Sequence, residues 1–334
     1  MKPTFVIASA VGIVLAVGLI FFYGIGPIVD AVAAVGWGAL VVTLVRVGET
    51  SGAGVAWWLL LPERPAHLLR ICVLLRWVRE SINVLLPVAQ VGGDVAGARL
   101  LTFTGISGGM AGASVLVDLL IQTATQVVFT LIGLALLVSA GGADGLVRWI
   151  AIGLAVLTPA LAGFFLALRY GGVRLAEAAL ARFAGSADWA ILGGLAQLHD
   201  RLQDIFRRPA AAWAAVALHM AIWFFGVFEV WVALRFMGHP VSYATALLIE
   251  SLGHAVRGAA FMVPGAIGVQ EGGLVALCAV FGIPAPVAVA LSLVKRLPEV
   301  ALGIPGLMIW QTLESRHLLA GRRSVAGGTQ AAGK

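Results

Sequence analysis

Long apolar segments separated by short polar connections dominate the chain, a pattern typical of membrane-spanning helices. Six segments approach the ~20 residues that a helix needs to cross a hydrocarbon core of about 30 Å. They are residues 5–27, 37–61, 112–138, 147–168, 210–236 and 286–311. Residues 5–27 exceed the apolar core of a signal peptide, about 7–15 residues, so we expect a retained first transmembrane helix.

Two further apolar regions, 68–103 and 242–283, are too long for one helix and are interrupted at a proline. The interruptions read Pro87 to Gly92-Gly93-Asp94 and Pro264 to Glu271-Gly272-Gly273, with the acid seven residues after the proline in both. Proline and glycine end helices, and an acid at membrane depth is costly unless it has a partner or a function. Each region is therefore predicted to contain two helices joined at the proline.

Basic residues predict the orientation, because cytoplasmic loops are enriched in lysine and arginine. The connection 170–209 and the tail after residue 311 are rich in arginine, whereas 28–36, 139–147 and 282–285 contain no lysine or arginine. We expect both termini and the 170–209 connection to be cytoplasmic. Regions 68–103 and 242–283 must then return to the side they enter from, which predicts two re-entrant helical hairpins.

The order of helix, helix, hairpin and helix then occurs twice with opposite orientation, at an offset of 177 residues. The predicted fold is an all-α polytopic membrane protein with six spanning helices and two re-entrant hairpins in an inverted-topology repeat. The predicted units are a first half-repeat, 1–138, and a second, 139–320, with an amphipathic cytoplasmic insert at 170–209. Residues 321–334 are predicted to be a disordered tail.

Composition supports the membrane class, because 60% of residues are hydrophobic and 11% are charged, against about 25% charged in soluble domains. The net charge of +6 does not indicate a nucleic-acid partner, because the basic residues cluster at the ends of apolar segments. Cys72 and Cys278 lie in apolar stretches and are interpreted as small hydrophobic residues. The six histidines have no ligand spacing, so neither a metal nor a cofactor is expected.

Ionisable residues inside the apolar elements indicate the candidate site, because each must face the interior, a partner or water. Arginines bind phosphate and carboxylate bidentately, and broken-helix ends favour anions. The predicted substrate-binding residues are Arg76, Arg79, Glu80, Asn83, Pro87, Asp94, Arg257, Pro264, Gln270 and Glu271. Glu49, Asp118, Glu229 and Lys295 are predicted coupling or ion-pair residues, with Asp118 and Lys295 paired across the pseudo-twofold axis. No catalytic residue is predicted.

The run from Val263 to Gly273, with Asn83, Pro87 and Gly92-Gly93-Asp94 upstream, resembles the lysylphosphatidylglycerol synthase transmembrane (flippase-domain) superfamily. The chain looks most like its hopanoid-biosynthesis-associated membrane proteins. The resemblance implies a bacterial inner-membrane protein that moves or handles lipids. In two-domain relatives the membrane part flips an aminoacylated lipid made by a soluble domain. We expect no such synthesis from this chain, because its last predicted helix lies close to its end.

Three hypotheses follow from the residues and the resemblance together. The leading one is a flippase that moves an amphipathic lipid, a hopanoid or a phospholipid, with the headgroup held between the hairpin tips. The second is a membrane-embedded transferase with Glu271 or Asp94 as general base. The third is an accessory scaffold for lipid-biosynthesis enzymes. Hairpins that approach from opposite sides favour transport over catalysis.

Overall fold

The computed structural model describes residues 25–86, 91–139, 196–259 and 266–331, with isolated positions between 148 and 166. This part of the chain is all-helical, which confirms the all-α part of the predicted fold class. The helices are α1 Ile25–Val35, α2 Gly38–Leu60, α3 Ala66–Leu85, α4 Gly92–Thr102, α5 Gly108–Ser139, α6 Ala196–Phe206, α7 Pro209–Phe236, α8 Tyr243–Ala259, α9 Val269–Val280 and α10 Ala285–Ala331.

Three of the described helices, α2, α5 and α7, are long and apolar enough to cross a membrane. They coincide with the predicted spans 37–61, 112–138 and 210–236. The predicted span 286–311 lies inside α10. The predicted spans 5–27 and 147–168 fall largely outside the described residues.

Residues 321–334 were predicted to be a disordered tail. Helix α10 extends into this segment as far as Ala331. The segment contains Gly321, Gly327 and Gly328, and glycine is a poor helix former, so local propensity does not explain the helix.

Each interrupted apolar region forms two helices that pack against each other. The first helix pair is α3 with α4, and the second helix pair is α8 with α9. The predicted tips at Pro87 and Pro264 lie outside the described residues. The helix pairs themselves are therefore observed, up to the last described residue on either side of each predicted tip.

The predicted offset of 177 residues recurs in the helix boundaries. Adding 177 to the first residues of α3, α4 and α5 (66, 92 and 108) gives 243, 269 and 285, the first residues of α8, α9 and α10. Packing follows the same relation, since α3 contacts α10 and its counterpart α8 contacts α5. Helices α2 and α7 pack against each other between the two sets.

Two apolar cores are separated along the long helices by polar residues. On α2, Val42 belongs to one core and Trp57 to the other. Arg46 and Glu49 lie between them, close to the middle of the helix.

Helix α7 has the same organisation. Ala215 and Val227 belong to different cores, and His219 lies between them. We call this mid-helix band the polar layer. In a chain built of apolar helices it is where buried charge is concentrated.

The predicted amphipathic insert is described only at its end, where α6 buries Leu198, Leu202 and Ile205. These residues lie on one face of the helix, as spacings of four and three require. They join the core formed by α2 to α5. Helix α6 is therefore packed on the first half of the chain.

Candidate functional site

Arg79 of α3 is the centre of the first ionic cluster in the polar layer. Its Nε and Nη2 donate to Asp94 Oδ1 at 2.9 and 2.6 Å, and its Nη1 donates to Asp118 Oδ2 at 3.0 Å. The guanidinium also lies 4.7 Å from the centre of the Trp57 ring. Its side chain is 1% exposed. Arg79 thus joins α3, α4 and α5, and each of its three nitrogens donates to a carboxylate.

Asp118 contacts side chains of two other helices, α3 and α7, and completes this cluster. Arg76 Nη1 donates to Asp118 Oδ2 at 3.0 Å, and His219 Nε2 of α7 lies 3.1 Å from Asp118 Oδ1. Arg76 also donates to Gln122 Oε1 at 2.9 Å. Asp118 therefore pairs with arginines of its own half and not with Lys295, contrary to the predicted pairing across the axis.

Glycine explains how α3 and α4 come close enough for these bonds. A Cβ on Gly93 would collide with the backbone oxygen of Arg79, and one on Gly97 would collide with the Arg79 side chain. The Gly93 N–H donates to Asn83 Oδ1 at 2.7 Å, and Asn83 Nδ2 donates to Asp94 Oδ2 at 3.2 Å. The second glycine of the Gly92-Gly93 pair therefore positions the acid that follows it.

Glu271 of α9 is the centre of the second cluster. Gly268 N–H, at a positive φ of 81°, donates to Glu271 Oε2 at 2.6 Å and so caps α9. Ser292 Oγ and Arg296 Nη2, both of α10, donate to Glu271 Oε1 at 2.9 Å. Gln270 donates to the same Ser292 hydroxyl at 3.0 Å. Both Gln270 and Glu271 are buried.

A third cluster joins the two halves. Arg46 of α2 lies 2.9 Å from Glu229 Oε2 of α7, and Lys295 of α10 lies 3.3 Å from the same oxygen. Lys295 Nζ also donates to the two oxygens of Glu250 at 2.7 and 2.5 Å. Here the predicted ion-pair residues Glu229 and Lys295 do meet, and Glu49 joins them through Arg46 at 3.2 Å.

A cavity of about 250 Å³ opens between the first and third clusters. Among the predicted site residues it is lined by Glu49, Arg76, Arg79, Glu80, Asn83, Asp94 and Arg257. Its wall comes from α2, α3, α4, α5, α7 and α8, so both halves contribute. We call it the central cavity. Gln270 and Glu271 do not line it, and Pro87 and Pro264 lie outside the described residues.

Arg257 differs from Arg79 because two of its three nitrogens have no recorded hydrogen bond among the described residues. Its Nη1 is paired with Glu299 and lies 3.3 Å from Gln270 Oε1. The described residues provide no recorded hydrogen bond for its Nε or Nη2. Its side chain is 20% exposed at the central cavity. It is therefore an arginine that can bind an anion without giving up its structural partner.

Several cavity residues were missed from the predicted site. Gln122 and Gln126 of α5, His219 and Trp223 of α7, and His254 of α8 all line it. The signal was present for α5, because Asp118, Gln122 and Gln126 recur every four residues and so form a polar stripe on an otherwise apolar helix. His219 is an ionisable residue within a predicted span, which is itself an indication of function.

The family comparison agrees with this architecture. The model of the lysylphosphatidylglycerol synthase TM region matches residues 9–306. The chain belongs to this family. It is accordingly a multi-pass membrane protein of a family with a lipid-related function. No curated protein and no solved structure matches the chain.

Proposed function

We propose that this family member is a flippase that moves an amphipathic lipid between leaflets, with the headgroup passing through the central cavity. The observation that carries the proposal is the central cavity itself, a polar space lined by both halves in the middle of apolar helices. A buried polar cavity in membrane helices is expected to mark a substrate or ion pathway.

The size of the central cavity favours a headgroup over a whole lipid. Pockets for drug-sized ligands are about 300–1,000 Å³, and this cavity is about 250 Å³. The acyl or polycyclic part of the lipid would therefore remain in the bilayer. Arg257 would bind a phosphate or carboxylate, and Asn83, Gln122 and Gln126 would provide neutral hydrogen bonds.

The proposal includes the inverted orientation of the two half-repeats. The helix pairs would be re-entrant hairpins that open to opposite sides, with Pro87 and Pro264 near the midplane and both termini in the cytoplasm. The equal spacing of the helix starts supports two equivalent units. A bacterial inner membrane and a hopanoid or phospholipid substrate are part of the same proposal, as is contact with lipid-biosynthesis enzymes.

The transferase alternative is disfavoured because its two candidate bases, Glu271 and Asp94, already accept hydrogen bonds from protein groups. A general base needs a lone pair within reach of the proton that it removes. Both oxygens of Glu271 accept hydrogen bonds from protein groups, and Glu271 does not line the central cavity. Asp94 does line it, but Arg79 and Asn83 occupy its oxygens. The scaffold alternative gives no role to the cavity.

Reconstitution into liposomes with a panel of labelled lipids tests the proposal. We expect leaflet exchange with wild-type protein and a large loss with Arg257→Lys, because lysine keeps the charge but lacks the bidentate fork. Arg99→Lys is the matched control, since Arg99 pairs with Glu314 and does not line the central cavity. Absence of exchange for every lipid contradicts the proposal.

Mass spectrometry of the recovered lipids separates transport from catalysis. A flippase returns each lipid chemically unchanged. Accumulation of a covalently modified lipid with wild-type protein, and its disappearance with Asp94→Asn, would instead establish the transferase.

A further inference from the structure

The third ionic cluster carries an excess of acid. Arg46 and Lys295 provide two positive charges, whereas Glu49, Glu229 and Glu250 provide three carboxylates within the same chain of contacts. A net negative charge buried among apolar helices is strongly unfavourable. One further positive charge is needed to balance it.

The neighbouring arginines and acids do not remove the excess. Glu299 of α10 and Arg257 of α8 form their own pair and add one charge of each sign. Asp118 of α5 is neutralised by Arg76 and Arg79 of α3 and contacts His219 of α7. Glu80 of α3, 40% exposed, adds another acid 4.0 Å from Arg76. His254 of α8 lies 2.9 Å from Glu250 Oε1, so a proton on His254 would balance the charge but would give no donor to Glu49 or Glu229.

Two oxygens of this cluster are also left without a hydrogen bond. Glu229 is 0% exposed, and its Oε1 has no hydrogen bond among the described residues. The buried Oε2 of Glu49 has none either, although it lies 3.2 Å from Arg46 Nη1. Buried acceptors without a partner are rare and costly. A proton on one of the carboxylates would neutralise the excess charge and would provide a donor for an unpartnered oxygen.

Geometry selects Glu49 as the group that takes the proton. Gly226 of α7 lies one helical turn before Glu229, and a Cβ at Gly226 would collide with Glu49 Oε1. Because glycine has no side chain, the Glu49 carboxyl fits against α7 at this position. Glu49 lines the central cavity, whereas Glu229 and Glu250 do not. A proton on Glu49 can therefore exchange with water in the cavity.

We propose that the cluster of Arg46, Glu49, Glu229, Glu250 and Lys295 is a proton-binding site, with Glu49 as its titrating group, and that proton binding is coupled to lipid movement. Protonation removes a negative charge from the wall of the central cavity and so favours an anionic headgroup beside Arg257. The coupling is reciprocal, so the headgroup also favours the proton. The coupling rests on the proposed flippase function, whereas the proton site does not.

Infrared difference spectroscopy during a pH titration of the purified wild-type protein tests the site without any lipid assay. We expect a carbonyl band of a buried protonated carboxyl that disappears on alkalinisation and is absent in Glu49→Gln. Glu49→Asp retains a carboxyl and should shift the band. Glu314→Gln, at the ion pair with Arg99 outside the cavity, should leave it unchanged. A wild type with no titrating band, or a band that persists in Glu49→Gln, overturns the site.

Leaflet exchange under an imposed pH gradient tests the coupling. We expect the gradient to change the exchange rate of an anionic lipid by about fivefold or more, the lower range of typical coupling, and to have no effect on Glu49→Gln. If the exchange rate of wild-type protein is the same with and without the pH gradient, the coupling is wrong. If wild-type protein shows no exchange at all, the flippase proposal fails, and the infrared band still decides the proton site.

Discussion

Asp94 and Glu271 are the third residues of α4 and α9 and are related by the offset of 177, yet they bind arginines from different helices. Asp94 binds Arg79 of α3, which precedes it, whereas Glu271 binds Arg296 of α10, which follows it. Equivalent backbone positions thus have different ionic partners. The Asp94 cluster faces the central cavity, and the Glu271 cluster fastens α9 to α10.

Replacement of Arg79 by methionine should destabilise the protein strongly. It leaves Asp94 and Asp118 buried without their main partner, which typically costs about 3–5 kcal/mol. Thermal or denaturant unfolding in detergent measures the loss. Arg99→Met is the control, because the Arg99–Glu314 pair is 27% and 26% exposed and such pairs contribute about 1 kcal/mol or less. Equal losses in both variants would contradict the structural role of Arg79.

Gly93→Ala should separate the first helix pair. The new methyl group collides with the backbone of Arg79, which cannot move without moving α3. Overpacking of this kind costs about 1–3 kcal/mol, measurable as a lower unfolding temperature. Gly272→Ala in α9 is the matched control: it has open space, and alanine favours the helix by about 1 kcal/mol. A neutral Gly93→Ala would refute the close approach.

Arg208→Ala should weaken the attachment of the α6–α7 connection to the end of α2. Arg208 Nη1 and Nη2 donate to the carbonyl oxygens of Leu61 and Leu60 at 2.7 Å and so satisfy the end of α2. Loss of a hydrogen bond to a charged donor costs about 1.5–3 kcal/mol, and partial exposure reduces this value. The neighbouring exposed Arg207 is the control, since Arg207→Ala should leave the unfolding temperature unchanged.

The inverted orientation predicts opposite labelling of two exposed positions. Thr104, between α4 and α5, should react as a cysteine with an impermeant reagent from the cytoplasm, and Ala279, at the end of α9, from outside. The native Cys72 and Cys278 are buried, so wild-type protein should give a low background. Labelling of both cysteines from the same side would exclude the inverted repeat.

The helix boundaries were largely predictable because they depend on local features. Proline, glycine and the length of the apolar runs predicted a break inside 68–103 and another inside 242–283. Helices α3 and α8 end at Leu85 and Ala259, inside these regions. The ion pairs were not predictable in the same way. Asp118 and Lys295 are related by the offset of 177, but the offset does not determine which helix face each side chain occupies. Asp118 pairs with Arg76, and Lys295 pairs with Glu250.

The cavity was only partly predictable for a related reason. Its arginines stood out as charges in apolar sequence, whereas glutamine and tryptophan are common at helix surfaces and carry no comparable signal. Gln126 and Trp223 become recognisable as cavity residues only once α5 and α7 are placed beside α8. The acid excess around Arg46 likewise depends on contacts between residues 183 positions apart.

The polar layer between the two apolar cores has an electrical consequence. If it lies at the midplane, the hydrocarbon barrier of about 30 Å is divided into two thinner apolar zones with a polarisable band between them. The free-energy cost of taking an ion out of water falls where polar groups of the protein contact the ion along its path. A charged headgroup would then cross two lower barriers in succession instead of one high barrier. At the midplane, where the bilayer alone has its highest barrier for an ion, the ion pairs of the protein would replace the hydration shell of the headgroup.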